Sequence, residues 1–371
     1  MHIEDLEFLC CVDCNSRLVA LDHNPSLPIV EGVLECQGCQ RQFPVIGSVA
    51  IIFHKEVLLD FLSEREVCHI RSTKRERCLD GAGGGSCNKL QVKVAENWSY
   101  QWNEVPGWDS TEYGNSDAFA GKRAFWNFIP LNQSDLQNAN ALVACGGLGR
   151  EAYHLLEAGC RRVIVNEIGD EIFRIPQMVP DSANRLILIR SDVLHLPVRS
   201  ACLDAAVCDH ALQHVLDHRT AYKELSRIVR PGGRVAICVY SWENNWIMTG
   251  CIEPTKLILH PLPLKLQRYI AWPMTVCVFA VIHAFYRPLS AVAPGVASHL
   301  PLFTHMMFWA ECRFKFLWMA IFDLIHAPVS HHFRQVEVQT LADQHNLVIE
   351  SLINTNGTLW SMIARKPSPT N

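Results

Sequence analysis

The chain has 371 residues, 49% hydrophobic and 19% charged, enough apolar material for one large globular core or two ordinary ones. A formal net charge of −4 supplies no general basic field, so composition does not favour a nucleic-acid binder. Sixteen cysteines lie mostly in apolar stretches, and Met1 to Glu7 lacks the basic start and apolar core of a signal peptide, so the expectation is reduced thiols in a cytoplasmic protein.

Cys11 and Cys14 form one CxxC turn, Cys36 and Cys39 a second, with twenty-one residues between them. Such a turn lets two thiolates converge on one face of a tetrahedral ion, and two turns close the site with no position left for chemistry, so a structural zinc is expected. Cys10 is a spare. Gln42 to Phe53 reads as a hairpin turning at Gly47 and Ser48. From Arg71 to Lys89 a charged run followed by glycines has neither helical nor strand period and is expected to be a linker, within 61–92. Its basic cluster Arg71, Lys74, Arg75 and Arg77 reads as solvated. Glu96 to Asn103, with Trp108 and Trp126 beyond, is aromatic-rich: either a helix covering a pocket or aromatics packed on a sheet edge.

Ala141 to Ala144 is a short buried-strand run, and Cys145 to Gly149 is a turn with three glycines and no bulky polar side chain. Ala152, Leu155, Leu156 and Ala158 then fall at helical spacing before Gly159, and Arg162 to Asn166 returns to a strand ending at Glu167. This is a βαβ nucleotide unit: glycines permit close approach, the helix N-terminus offers free N–H groups, and the terminal acid accepts ribose hydroxyls. Arg185 to Arg190 makes a third strand, with Asp192 and Val193 beyond it placed for a purine amino group. Leu203 to Asp209 makes a fourth, ending at Asp209 and His210, and Arg234 to Tyr240 a fifth. The strand ends line one crevice.

Residues 246–332 form an insertion. Tyr269 to Tyr286 is almost uniformly apolar, interrupted by Pro273 and His283, and reads as a helical lid over the pocket, with peripheral membrane contact through 269–286 as the alternative. Val336 to His345 makes a helix, and Leu347 to Ile353 with Leu359 to Ala364 a closing hairpin. The expected units are 1–60, 61–92, 93–245, 246–332 and 333–371.

The double knuckle followed by Phe43 to Ile52 resembles the small zinc-binding activator subunit of tRNA and protein methyltransferases. Residues 95–245 resemble class I S-adenosylmethionine-dependent methyltransferases, carried by the loop 145–149, Glu167, Asp192 with Val193, the block 203–215 and the block 224–233. The resemblance implies an α/β Rossmann-like sheet in the order 3-2-1-4-5-7-6. It implies a cofactor site for S-adenosylmethionine at Cys145, Gly146, Gly147, Gly149, Glu167, Asp192, Val193 and Asp209, with Asp209, His210 and His214 bordering methyl transfer. His210 and His214 are the candidate bases; His214 also reads as a packing residue. Tyr100, Gln101 and Trp102 match an aromatic signature of zinc-fused relatives, and Asp323, Pro328 and His332 an element expected to face the acceptor. Val143 and Cys145 depart from the family's acid and first glycine.

The expected activity is therefore methylation of a small or lipid-like acceptor. A tRNA or rRNA methyltransferase and a catalytically silent scaffold, the latter raised by Val143 and Cys145, are the alternatives.

Overall fold

The computed structural model describes residues 1–105, 121–179 and 184–368; Trp108 lies outside them. Its centre is one sheet of 11 strands. The N-terminal module gives β1 (Leu18–Ala20), β2 (Gly32–Cys36), β3 (Gln42–Ile46) and β4 (Val49–Ile51). The remainder gives β5 (Asn140–Ala144), β6 (Arg162–Glu167), β7 (Leu186–Arg190), β8 (Leu203–Asp209), β9 (Val229–Tyr240), β10 (Val348–Thr355) and β11 (Leu359–Arg365). They lie in the order β1-β2-β3-β4-β7-β6-β5-β8-β9-β11-β10. Strands β5 to β9 are mutually parallel, and β11 enters antiparallel between β9 and β10.

The central strands are buried on both faces. Alternate residues feed two cores: Ala141, Val143, Val163 and Val165 go to one, Leu142, Ala144, Ile164 and Ile189 to the other. Period-two alternation between two apolar layers is why these strands read as unbroken hydrophobic runs. Helices α1 (Glu64–Ser72), α2 (Lys89–Glu104), α3 (Arg150–Glu157), α4 (His218–Ile228), α5 (Leu264–Val281), α6 (Phe314–His326) and α7 (Gln335–Asp343) are the ones used below.

The zinc-type module is continuous with the main sheet. Its hairpin turns at Gly47 and Ser48, both at positive φ (55° and 68°), which matches the twist of a tight hairpin. The returning strand β4 then pairs parallel with β7, Val49 opposite Leu188 and Ile51 opposite Arg190.

The stretch 61–92 holds more structure than its composition indicates. Ser63 Oγ accepts from the Glu66 N–H (3.3 Å) while the Glu66 carboxylate accepts from the Ser63 N–H (2.8 Å), a capping box that starts α1. Glu66 also forms a buried ion pair with Arg190 at the end of β7. The glycine run beyond is packed: the Gly83 N–H donates to Lys55 O (2.7 Å), and a Cβ there would come within 3.0 Å of Glu56 O. These glycines serve close backbone approach.

In the insertion, α5 runs on through Ile282–Tyr286 and Arg287–Val292, so neither Pro273 nor His283 ends it. Gln267, Ala271, Thr275, Ile282 and Tyr286 form its buried stripe, and Trp272 and Phe279 pack edge-on to Phe314 of α6.

Candidate active site

The carboxyl ends of β5, β6, β7 and β8 open into a cavity of about 240 Å³. Cys145, Gly146, Gly147, Glu167, Asp192, Val193, Asp209, His210 and His214 all line it. Gly149 is absent from that lining. It takes φ +85° to start α3, and a Cβ there would lie 2.9 Å from Ile175 Cγ2, so it serves the close approach of α3 to the helical turn Ile175–Met178.

The two strand-end carboxylates are held from the protein side. Glu167 Oε2 accepts from the Gly147 N–H (2.8 Å), and its Oε1 accepts from the N–H groups of Ile168 (2.7 Å) and Gly169 (3.3 Å). Burial raises its pKa against the pull of those donors. Asp192 accepts from the Leu194 N–H (2.9 Å) and from Gln91 Nε2 of α2 (2.7 Å); burial raises it too. Helix α2 therefore covers this end of the cavity. A Cβ at Gly147 would lie 3.1 Å from the Trp102 ring, and the Trp98 ring meets the imidazole of His214 at a tilt and that of His326 edge-on.

Asp209 is the pivot of the next group. Burial works against its charge, but His210 and Arg150 hold its pKa below the usual value. His210 Nδ1 lies 2.6 Å from Asp209 Oδ1, and Arg150 pairs with both Asp209 and Glu151. Burial opposes a charged His210, yet Asp209 outweighs it and lifts the imidazole to about 10. His210 is thus a cation at neutral pH, which disfavours the role of proton acceptor expected for it. His214 is the opposite case: burial lowers it to about 3, and its Nδ1 donates to Val329 O (2.7 Å), fixing a neutral ring.

The far wall comes mainly from the insertion and the closing hairpin, joined by Phe128 from the helix Lys122–Phe128 and by Asn245 just ahead of the insertion. Phe128, Met248, Phe308 and Trp309 make it aromatic and apolar; Asn245, His305, Asp323, His332 and Asn356 add polar groups. Burial pushes Asp323 up to about 8, against the neighbouring Gln101 and His210, and pushes His305 and His332 down to about 4. Four of these side chains anchor or present one polar atom and leave another shielded from water with no partner among the described residues: Asn245 Oδ1, His305 Nε2, Asp323 Oδ1 and Asn356 Nδ2. Asn245 is tied to Ser241 O (3.0 Å), His305 to Thr358 Oγ1 (3.1 Å) and Asn356 to Asn127 (3.4 Å) through the other atom. Each orphan costs about 1–3 kcal/mol, a cost that a polar acceptor would offset.

In the N-terminal module the sulfurs of Cys11, Cys14, Cys36 and Cys39 lie within 4.8 Å of one another, with Cys11 to Cys39 at 3.6 Å and Cys14 to Cys36 at 3.3 Å. Tetrahedral zinc thiolates would sit about 3.8 Å apart, from a Zn–S bond of about 2.3 Å. The N–H groups of Gly38 and Cys39 already point at Cys36 Sγ, so the donor set fits zinc.

Of the acceptor-facing trio, Asp323 and His332 line the cavity and Pro328 does not. Gln101 is fully buried, its Oε1 2.5 Å from His326 Nε2. Sequence reasoning missed His305, Asn245 and Asn356. Only Asn245, a few residues past the end of β9, carried a signal, by the rule that strand ends line the crevice.

Residues 142–237 match the family model of a methyltransferase domain, and residues 6–48 that of Trm112p-like protein. Among curated relatives, a ubiquinone/menaquinone biosynthesis C-methyltransferase of Syntrophotalea carbinolica is 26% identical over 129 residues, 34% of this chain and 54% of that protein. A demethylmenaquinone methyltransferase of Mycolicibacterium paratuberculosis is 30% identical over 73 residues, 20% of this chain and 32% of that protein. The chain thus spans about half the length of the first and a third of the second. Among solved structures, a complex of the Haloferax volcanii Trm112 methyltransferase activator with a methyltransferase is similar at TM-score 0.43 and 11% identity, over 75% of this chain and 99% of that one. PKMT2 of Rickettsia typhi in complex with AdoHcy gives 0.44 and 13%, over 70% of this chain and 54% of that one.

Proposed function

We propose that the chain is an S-adenosylmethionine-dependent methyltransferase acting on an apolar, ring-bearing acceptor of the quinone or quinol kind. One observation carries the reading: a single cavity joins the strand-end carboxylates Glu167 and Asp192 to an aromatic wall built by the insertion. The residues present fit the cofactor, because two carboxylates on adjacent strand ends, Glu167 and Asp192, stand beside a glycine turn that lines the same cavity, the acceptor set that a nucleoside requires, while the Gly146 and Gly147 N–H groups are taken up by Asn166 O and Glu167. When bound, that cofactor supplies an activated methyl group.

In this reading Glu167 holds the ribose, Asp192 and Val193 the adenine, and 145–149 the methionine end. Trp98 and Trp102 exclude water from above. The Arg150, Glu151, Asp209 and His210 group carries two charges of each sign, so it sits beside a sulfonium without net repulsion, and His210 donates toward charge that develops on the acceptor. The proton released by an acceptor hydroxyl or ring carbon goes to one of the neutral imidazoles, His214 or His305, whereas Asp323, held protonated by burial, can only donate a hydrogen bond. The quinone kind rests on the names of the two partial relatives and on the orphaned polar atoms of an otherwise apolar wall.

Calorimetric titration of zinc-loaded protein with S-adenosylhomocysteine tests the cofactor half. Saturable binding is expected, weakened at least tenfold by Glu167→Ala; no binding by the unaltered protein sinks the reading.

A further inference from the structure

From the outer face of the insertion we infer that this protein docks, lying in plane, on the surface of an anionic phospholipid bilayer. Of the 20 exposed large hydrophobic side chains among the described residues, 12 fall between Trp242 and Val296. Along α5 and its continuation they form an outward stripe opposite the buried one: Leu266, Tyr269, Trp272, Val276, Val281 and Phe285, the aromatics half-exposed or more. Leu257 (81% exposed), Ile258 (74%) and Trp246 (61%) extend the patch from the preceding segment. A water-facing helix of this length normally carries charge on its outer face; here no charged residue lies between Arg268 and Arg287.

Charge selects the occupant. Residues 246–332 hold six Lys and Arg against three Asp and Glu, a local excess of three positive charges in a chain of net charge −4. The acids are engaged elsewhere: Glu253 with Lys256, Glu311 with Arg123, and Asp323 in the cavity wall. Lys265, Arg287 and Lys315 are exposed and form no ion pair among the described residues. Lys265 and Arg287 flank the apolar stripe, with Tyr269 one turn and Trp272 two turns inside Lys265, which is the arrangement of a helix at the headgroup level. The buried stripe Gln267, Ala271, Thr275, Ile282 and Tyr286 keeps the helix on the protein, so it lies on the membrane and does not cross it. A protein partner would be met more often by a patch with a polar rim and mixed charge.

The same insertion supplies Phe308, Trp309 and Leu324 to the cavity wall, so the segment that carries the exposed stripe also builds part of the site.

Co-sedimentation of the full-length, zinc-loaded protein with vesicles of phosphatidylcholine alone, or of phosphatidylcholine and phosphatidylglycerol at 7:3, tests the inference. Binding at least tenfold stronger to the anionic vesicles is expected, since each basic residue near such a surface contributes about fivefold. The pair Trp272→Asp and Phe285→Asp should abolish it, and Lys265→Glu with Arg287→Glu and Lys315→Glu, all on the surface and outside the core, should remove the anionic preference. Far-ultraviolet circular dichroism and S-adenosylhomocysteine binding should match the unaltered protein in both variants, so the cofactor reading stands or falls separately. Protein that remains in the supernatant with both vesicles, variants that sediment like wild type, or light scattering showing a dimer broken by Trp272→Asp without vesicle binding would overturn the inference.

Discussion

Cys145 occupies the first position of the glycine turn with φ +54°, a left-handed conformation that costs a residue with a Cβ about 1 kcal/mol. The backbone thus keeps the shape that glycine usually supplies, and the departure from the family pattern is carried as strain. Cys145→Gly is expected to be more stable than Cys145→Ala by about 1 kcal/mol in urea unfolding, since both lose the thiol and only one keeps the strained Cβ; equal midpoints would refute this. Val143 is explained by packing, because it faces the same apolar core as Val165 and lies against Gly146. Asp323 gives a pH signature. Burial raises its carboxyl in the folded chain to about 8, above the ordinary 3.8, so the fold favours the protonated form. Its contribution to stability is full below about pH 4 and is lost as pH rises to 8. Asp323→Asn should therefore gain thermal stability relative to wild type between pH 5 and pH 8. Parallel curves would mean that the carboxyl ionises freely in the folded state.

At the scale of elements, the junction between α1 and β7 is held by Arg190, which pairs with Glu66 and also donates to Phe61 O and to Ile168 O (3.0 Å). Both partners are nearly out of water, with side chains 5% and 7% exposed. Glu66→Ala would leave a buried guanidinium without its counter-charge and is expected to cost about 3–5 kcal/mol in chemical denaturation. A loss under 1 kcal/mol would mean that water reaches the guanidinium. Helix α2 acts on the proposed cofactor end of the cavity, where Gln91 occupies an oxygen of Asp192 and Trp102 lies on the Gly147 turn. Binding there requires α2 to exchange these contacts, so S-adenosylhomocysteine should change amide hydrogen exchange across 89–104 while leaving β1 to β3 unaffected. Uniform protection throughout the chain would contradict a local cover.

For the whole molecule, removal of zinc is expected to unravel β1 to β4 first and to lower the thermal midpoint of the entire chain, because β4 covers the edge of β7. Two separate transitions on adding a chelator, with the second unchanged, would show that the units are energetically independent. Much of this was legible in the sequence. The strands from Ala141 to Tyr240 announced themselves as apolar runs broken by glycine turns, and the four cysteines by their spacing, because local periodicity and knuckle geometry are written in adjacent residues. What was not legible depended on distant partners. The helix at 64–72 takes its stability from a capping box plus an ion pair to Arg190, and the glycines at 83–84 look flexible until the backbone of Glu56 is seen beside them. His305, Asn245 and Asn356 reach the cavity from three segments far apart in sequence, with no motif to join them. The pairing of β4 with β7 has a last consequence. Only three residue pairs form that ladder, while one apolar cluster that holds Leu9, Ile29, Leu34 and Phe43 of the module together with Ile187, Ile189 and Val198 joins the two over a wider area. Within one chain the second strand is presented at an effective concentration on the order of millimolar, independent of how much protein is made. The contact is thereby permanently occupied, and the stoichiometry of module to main sheet cannot drift.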